Sequence, residues 1–126
     1  MKTLNITIDG EPQAQKRWRM SKSGHAYDPS AKDKRKFADK VRQQLLDMEP
    51  CKEEVWLSLC FYLSKPKKYF EKYMGHVYKP DLDNLIKFVL DACNGVLWED
   101  DKIITSIAAR KHYLDTPGVI IQLEGK

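Results

Sequence analysis

Lys79-Pro80-Asp81-Leu82-Asp83-Asn84-Leu85-Ile86-Lys87 begins the stretch that decides this chain. It continues through Asp91-Ala92-Cys93-Asn94-Gly95 to Trp98-Glu99-Asp100-Asp101-Lys102. Leu82, Leu85, Ile86, Val89, Leu90 and Cys93 recur at the spacing of one helix face, so an amphipathic helix is predicted over 82–93. Pro80 biases Lys79 away from helical backbone and sets the start after it. Asp81 falls at the N-cap and Asp83 in the first turn. Two residues apart inside a helix point to nearly opposite faces, but with Asp81 outside it and Asp83 inside, the two carboxylates can converge. Asn94-Gly95 stops the helix, because glycine accepts the left-handed backbone needed just past a helix end.

The predicted helix is about 18 Å long. Residues 94–101, if extended, span up to about 25 Å. Val96-Leu97-Trp98 is therefore expected to run back as a short strand beside the helix and to bring Asp100 and Asp101 to its N-terminus. Asp81, Asp83 and one or both of Asp100 and Asp101 would then form one acidic cluster. Gathered carboxylates repel unless a hard cation neutralises them. An all-oxygen donor set without His or Cys suits Mg²⁺, or Mn²⁺ in its place. Lys87 lies one turn after Asp83, on the same face.

Each piece also has a purely structural explanation. Asp81 serves as an N-cap, Asp83 and Lys87 as an exposed i,i+4 ion pair, and Glu99 to Lys102 as a polar turn. Their order and spacing together are more particular. A Pro-Asp-Leu-Asp-Asn-Leu-x-Lys run, an Asp-Ala-x-Asn-Gly helix end and a Trp-x-Asp-Asp turn resemble the signature of the RusA family of Holliday junction resolvases. The match is close over roughly residues 79–104 and loose elsewhere. The resemblance implies a homodimeric, Mg²⁺-dependent endonuclease that cuts four-way DNA junctions during recombination and repair. It implies Asp81, Asp83 and Asp101 as catalytic, metal-binding carboxylates, Lys87 as an accessory cation, and a bacterial or bacteriophage origin.

At 126 residues the chain is expected to form a single domain, residues 1–126, with a real core and no need of disulfides. Apolar residues make up 42% and fall in clear periods, which excludes a disordered chain. Residues 1–80 carry 17 Lys and Arg against 10 Asp and Glu, whereas residues 81–126 carry 5 against 8. A basic first part and an acidic later part suit a nuclease, one surface attracting phosphate and another holding metal. Cys51, Cys60 and Cys93 are odd in number and lack Cys-x-x-Cys spacing, which reads as reduced thiols in a cytoplasmic protein. His25, His76 and His112 show no zinc spacing. No long apolar run suggests a signal peptide or a membrane span.

Leu4, Ile6 and Ile8 alternate with polar residues as a first strand. Lys16, Arg17 and Arg19 around Trp18 can pair with phosphates while the ring stacks on a base or packs inward. Ser21-Lys22-Ser23-Gly24 reads as a hairpin turn. Asp28-Pro29-Ser30 starts a helix to about Asp47, with Ala31, Lys34, Phe37, Ala38, Val41, Leu45 and Leu46 inward. Residues 55–63 are apolar on both alternating sets, which predicts a central strand covered on both faces. Residues 64–79 interleave Lys65, Lys67, Lys68, Lys72, His76 and Lys79 with Tyr69, Phe70, Tyr73 and Tyr78, a composition suited to DNA contact. Residues 103–113 and 119–123 read as strands paired back in a terminal hairpin. The expected fold is α+β (mixed α/β), two main helices on a mixed sheet.

The expected function is a metal-dependent, structure-specific DNA endonuclease. Asp81, Asp83 and Asp101, with Asp100 as a further candidate ligand, would hold one or two Mg²⁺ ions at the scissile phosphate of branched DNA. Lys87 would add fixed positive charge, Asn84 would orient a carboxylate, and Asp91 would stand behind the ligands. Two alternatives come from other classes: a non-catalytic nucleic-acid-binding module with a structural cation site, and a small phosphohydrolase acting on nucleotides.

Overall fold

A computed structural model describes residues 2–66 and 75–126. The basic residues Lys67, Lys68 and Lys72, with Tyr69, Phe70 and Tyr73, lie outside the described residues.

A four-stranded sheet has the order β1-β6-β4-β5, from β1 (Lys2–Asp9), β4 (Val55–Leu63), β5 (Ile104–Tyr113) and β6 (Gly118–Gly125). A small hairpin, β2 (Arg19–Met20) and β3 (Ala26–Tyr27), stands apart from it. Two helices, α1 (Ala31–Leu45) and α2 (Leu82–Cys93), contact each other beside this sheet. The mixed sheet and two helices make the α+β arrangement expected.

Alternation builds the core. Val55, Leu57, Leu59, Phe61 and Leu63 of β4 are buried, as are Val119, Ile121 and Leu123 of β6 and Ile6 and Ile8 of β1. Registers Ile6↔Ile121 and Leu59↔Ile121 line these side chains up on one face. Phe37 of α1 and Phe88 of α2 meet edge to face at 5.7 Å and 85°, the arrangement that aligns a ring's positive edge with its neighbour's negative face. Gly118 sits where β6 crosses β1 closely. A Cβ there would stand 2.9 Å from the Ile8 carbonyl oxygen.

Four expectations need correcting. The last two strands do not form a hairpin. β5 runs parallel to β4, and β6 lies on β4's other side, antiparallel to both β4 and β1. A parallel pair needs a long crossover, and α2 supplies it between β4 and β5. β4 is central but not covered on both faces, since Trp56 is 46% exposed. Both helices occupy one side, and the opposite side keeps half-buried Ser58, Cys60 and Tyr62. Leu46 is not inward: it ends α1 at φ 55° and is exposed. Finally, Val96-Leu97-Trp98 does not run back as a strand. Val96 and Leu97 N–H groups donate to the Cys93 carbonyl, and Gly95, at φ 78°, donates to that of Trp98. This folds the segment into a tight turn. Cys51 clamps it, donating to the Leu97 carbonyl and accepting from Glu99 N–H.

Candidate active site

The N-terminal half of α2 carries the first group of charges. Asp81 is the N-cap residue in extended backbone, yet its side chain makes no capping hydrogen bond. Asp83 Oδ1 accepts from Asn84 N–H at 2.9 Å. Asp81, Asp83 and Lys87 are exposed, and among the described residues no ion pair joins Asp83 to Lys87. Asp81 thus holds the N-cap position through its backbone without using its carboxylate, and the Asp83–Lys87 ion pair is not formed. Apolar Leu85, Phe88, Val89, Ala92 and Cys93 bury the opposite face of the helix. That burial fixes which way the charges point: Asp83, Lys87 and Asp91, four residues apart in turn, share one exposed stripe.

The other carboxylates collect toward the far end of α2. Asp101 opens a single 3-10 turn (Asp101–Ile103), and Trp98 Nε1 donates to its Oδ1 at 2.6 Å. Burial pushes the Asp101 carboxyl above its ordinary pKa, against the Trp98 hydrogen bond, and the charges of Asp91 and Asp100 add to the rise. Asp100 accepts from Lys102 N–H as the cap of that turn. Burial, helped by the Asp101 charge, pushes the nearby Cys93 thiol up to about 12, which keeps it protonated and inert. Asp101 thus neighbours Asp91 and Cys93, where the 94–98 turn closes at the C-terminal end of α2. Ten residues separate Asp81 from Asp91, a rise of about 15 Å. Among the described residues, no three His, Cys, Asp or Glu side chains gather closely enough to hold a metal ion.

Donor chemistry still fits a hard cation at the start of α2. Mg²⁺ retains several waters and takes one or two carboxylates plus substrate phosphates, so exposed Asp81 and Asp83 are sufficient protein ligands.

A second network braces the helix. Lys34 of α1 donates to Asp28 at 2.7 Å and to Asp91 at 3.0 Å, while Gln15 and Ser30 N–H also donate to Asp28. Burial acts to raise the Asp28 carboxyl and to lower the Lys34 ammonium. The hydrogen bonds overcome both, holding Asp28 below and Lys34 above their ordinary values. Asp91, expected only to stand behind the ligands, is therefore a bridge between helices.

The basic arm lies beside α2. Gln15 N–H donates to the Asn84 carbonyl at 2.9 Å, and Lys16 N–H to Ser30 Oγ at 3.0 Å. Asn84 thus uses its backbone, not its side chain, in the contacts seen. Lys16, Arg17 and Arg19 are exposed, and Trp18 is 65% exposed, which presents the ring outward rather than inward for packing. Lys79 and Tyr78 are exposed just before α2, whereas Lys65 pairs with Asp115 at 3.6 Å. His76 is buried against Tyr113 and Tyr78, so its ring packs instead of meeting solvent.

Two contributors gain no role from the sequence alone, Trp98 although it opens the Trp-x-Asp-Asp turn and Lys111 because it lies in no motif. Trp98, fully buried, orients Asp101. Lys111 of β5 reaches the turn before α2, donating to the carbonyls of Tyr78 at 2.7 Å and Pro80 at 2.8 Å. The available signal was a lysine at an alternating position of β5 opposite Phe61 of the core.

The sequence of the chain matches the family described as Endodeoxyribonuclease RusA over residues 9–124. It is 29% identical over 137 aligned positions to the uncharacterized protein YqaN of Bacillus subtilis (strain 168), covering 98% of this chain and 96% of that protein. Among the described residues, no helix is long and apolar enough to cross a membrane.

Proposed function

The chain belongs to the RusA endodeoxyribonuclease family, and from that premise we propose that it is a divalent-metal-dependent endonuclease resolving four-way DNA junctions by paired cuts. The observation that carries this proposal is the state of Asp81 and Asp83. Both are exposed at the start of a helix whose other face is core, and among the described residues neither is in an ion pair. Two charges kept in the open beside a basic arm suit binding of a cation and a phosphate better than any structural duty.

We assign Asp81 and Asp83 to hold the cation, with water and a DNA phosphate completing its shell. A divalent cation held there supplies Lewis acidity toward phosphate oxygens and lowers the pKa of water. Lys87, one turn on, adds fixed positive charge facing the same strand. Lys16, Arg17 and Arg19 contact flanking phosphates, and Trp18 stacks on an unpaired base at the branch. Asp101 is assigned to the same reaction. We assign it to reach the cation by rearrangement on DNA or from the second copy of a homodimer, a reading supported by its place near Asp91. Trp98 holds its carboxylate ready in one orientation. Products with 5′-phosphates and a role in recombination and repair belong to this proposal.

Labelled four-way junction, linear duplex and nucleoside triphosphate, each incubated with Mg²⁺ and with EDTA, test it. Junction cleavage only with Mg²⁺ is expected. Junction binding without cleavage would mark a non-catalytic binding module instead, and triphosphate hydrolysis alone would mark a nucleotide phosphohydrolase.

A further inference from the structure

Lys111 arrives at the start of α2 from a distant part of the chain. It pairs with Phe61 in the β4–β5 register, and its half-buried side chain reaches the 78–80 turn. Two of its three N–H groups are committed to the carbonyls of Tyr78 and Pro80, and Pro80 immediately precedes Asp81. One N–H remains.

The contrast with Lys34 is informative. Lys34 is equally anchored, but by two carboxylates, so its charge is neutralised where it sits. Among the described residues, no carboxylate lies within ion-pair distance of Lys111. Two carbonyl dipoles replace water around the ammonium without cancelling its charge. Burial, and next the Lys111 charge, lower the pKa of the neighbouring His76 imidazole, so the field is felt locally. A fixed, partly desolvated cation that meets no counter-charge among the described residues has lost the competing water that weakens surface lysines, and what it lacks among them is an anion.

We propose that Lys111 binds a backbone phosphate of the DNA at the Asp81–Asp83 site, its position set by the Tyr78 and Pro80 carbonyls. This rests on the endonuclease function proposed above. The competing role is a latch that merely holds the 78–80 turn. A latch needs the hydrogen bonds, whereas a phosphate ligand needs the charge as well.

Affinity for an immobile four-way junction, measured in EDTA over a series of salt concentrations, separates the two for wild type, Lys111→Gln and Lys111→Arg. Glutamine keeps amide donors for the carbonyls but removes the charge. We expect Lys111→Gln to lower the slope of log affinity against log salt by about 0.9, the value of one phosphate contact, and Lys111→Arg to keep it. An unchanged slope in Lys111→Gln, with wild type binding the junction, would overturn this assignment alone. Wild type that fails to bind the junction would overturn the endonuclease function, and this assignment with it. A fold-independent measurement uses unaltered protein: the Lys111 ammonium resonance in proton–nitrogen NMR should shift when junction is added. A resonance that stays in place would refute the contact even if Lys111→Gln fails to fold.

Discussion

Asp83 is the residue on which the proposed chemistry is most exposed to test. Asp83→Asn preserves shape and the hydrogen bond to Asn84 N–H, but removes a charge that a cation requires. Cleavage should fall at least about tenfold at saturating Mg²⁺, with junction binding equal or tighter. Activity within a few-fold of wild type would reject the metal assignment. Trp98→Phe probes Asp101 in a milder way. Phenylalanine refills most of the buried space but deletes the N–H that holds Oδ1. Activity should drop by about tenfold while the melting temperature changes far less, because an orienting hydrogen bond is lost and most packing is kept. The Asp28–Lys34–Asp91 network gives a pH signature. Folding lowers the Asp28 pKa, so its stabilisation is complete above the unfolded value of about 3.9 and is lost as pH falls through the folded value. Folding raises the Lys34 pKa, so its share is complete below about 10.4 and is lost as pH rises through the folded value. Asp28→Asn should therefore destabilise by about 1–3 kcal/mol at pH 7. Urea unfolding at several pH values should show that deficit shrinking as pH drops below about 4.

At the scale of elements, α2 is the part most fully specified by its own residues. Its predicted bounds, 82–93, are those observed, because the apolar stripe, Pro80 and Asn94-Gly95 all act locally. The apolar face is wider than the stripe alone suggested, since Phe88 and Ala92 join it against α1 and the sheet. β5 and β6 are different. Their existence follows from alternation, but their partners do not, since an alternating strand can pair on either edge in either direction. β6 is held between β1 and β4 partly by the close approach at Gly118. Gly118→Ala should place a methyl group against the Ile8 backbone and cost about 1–3 kcal/mol. A urea midpoint shifted at constant m-value would report it, and an unchanged midpoint would show that the sheet yields there.

For the whole molecule, the symmetry of the proposed substrate sets the expectation. A four-way junction has near two-fold symmetry, and one chain offers one Asp81–Asp83 pair. A two-fold homodimer would set two pairs against opposed strands. The sheet side away from the helices, with Trp56 exposed, leaves apolar surface available for assembly. Light scattering at micromolar concentration should give twice the 14.7 kDa of the chain, and a supercoiled cruciform plasmid should be linearised by coupled cuts. A monomer that only nicks the plasmid would reject both dimer and junction resolvase.

The sequence by itself determined the family, the α2 helix with its exposed Asp81, Asp83 and Lys87, the basic arm with its aromatic ring, and most strand positions. These depend on spacing and on neighbours a few residues away, where backbone preference and apolar periodicity act. Only the tertiary structure decided where the 94–98 turn leads, and so that Asp101 neighbours Asp91. It decided equally that Lys34 spends its charge on Asp28 and Asp91 while Lys111, with no carboxylate partner among the described residues, reaches Pro80. Both outcomes hang on a crossover and on strand order, which arise from long-range burial of whole faces. No local spacing encodes which of several apolar strands will lie beside which.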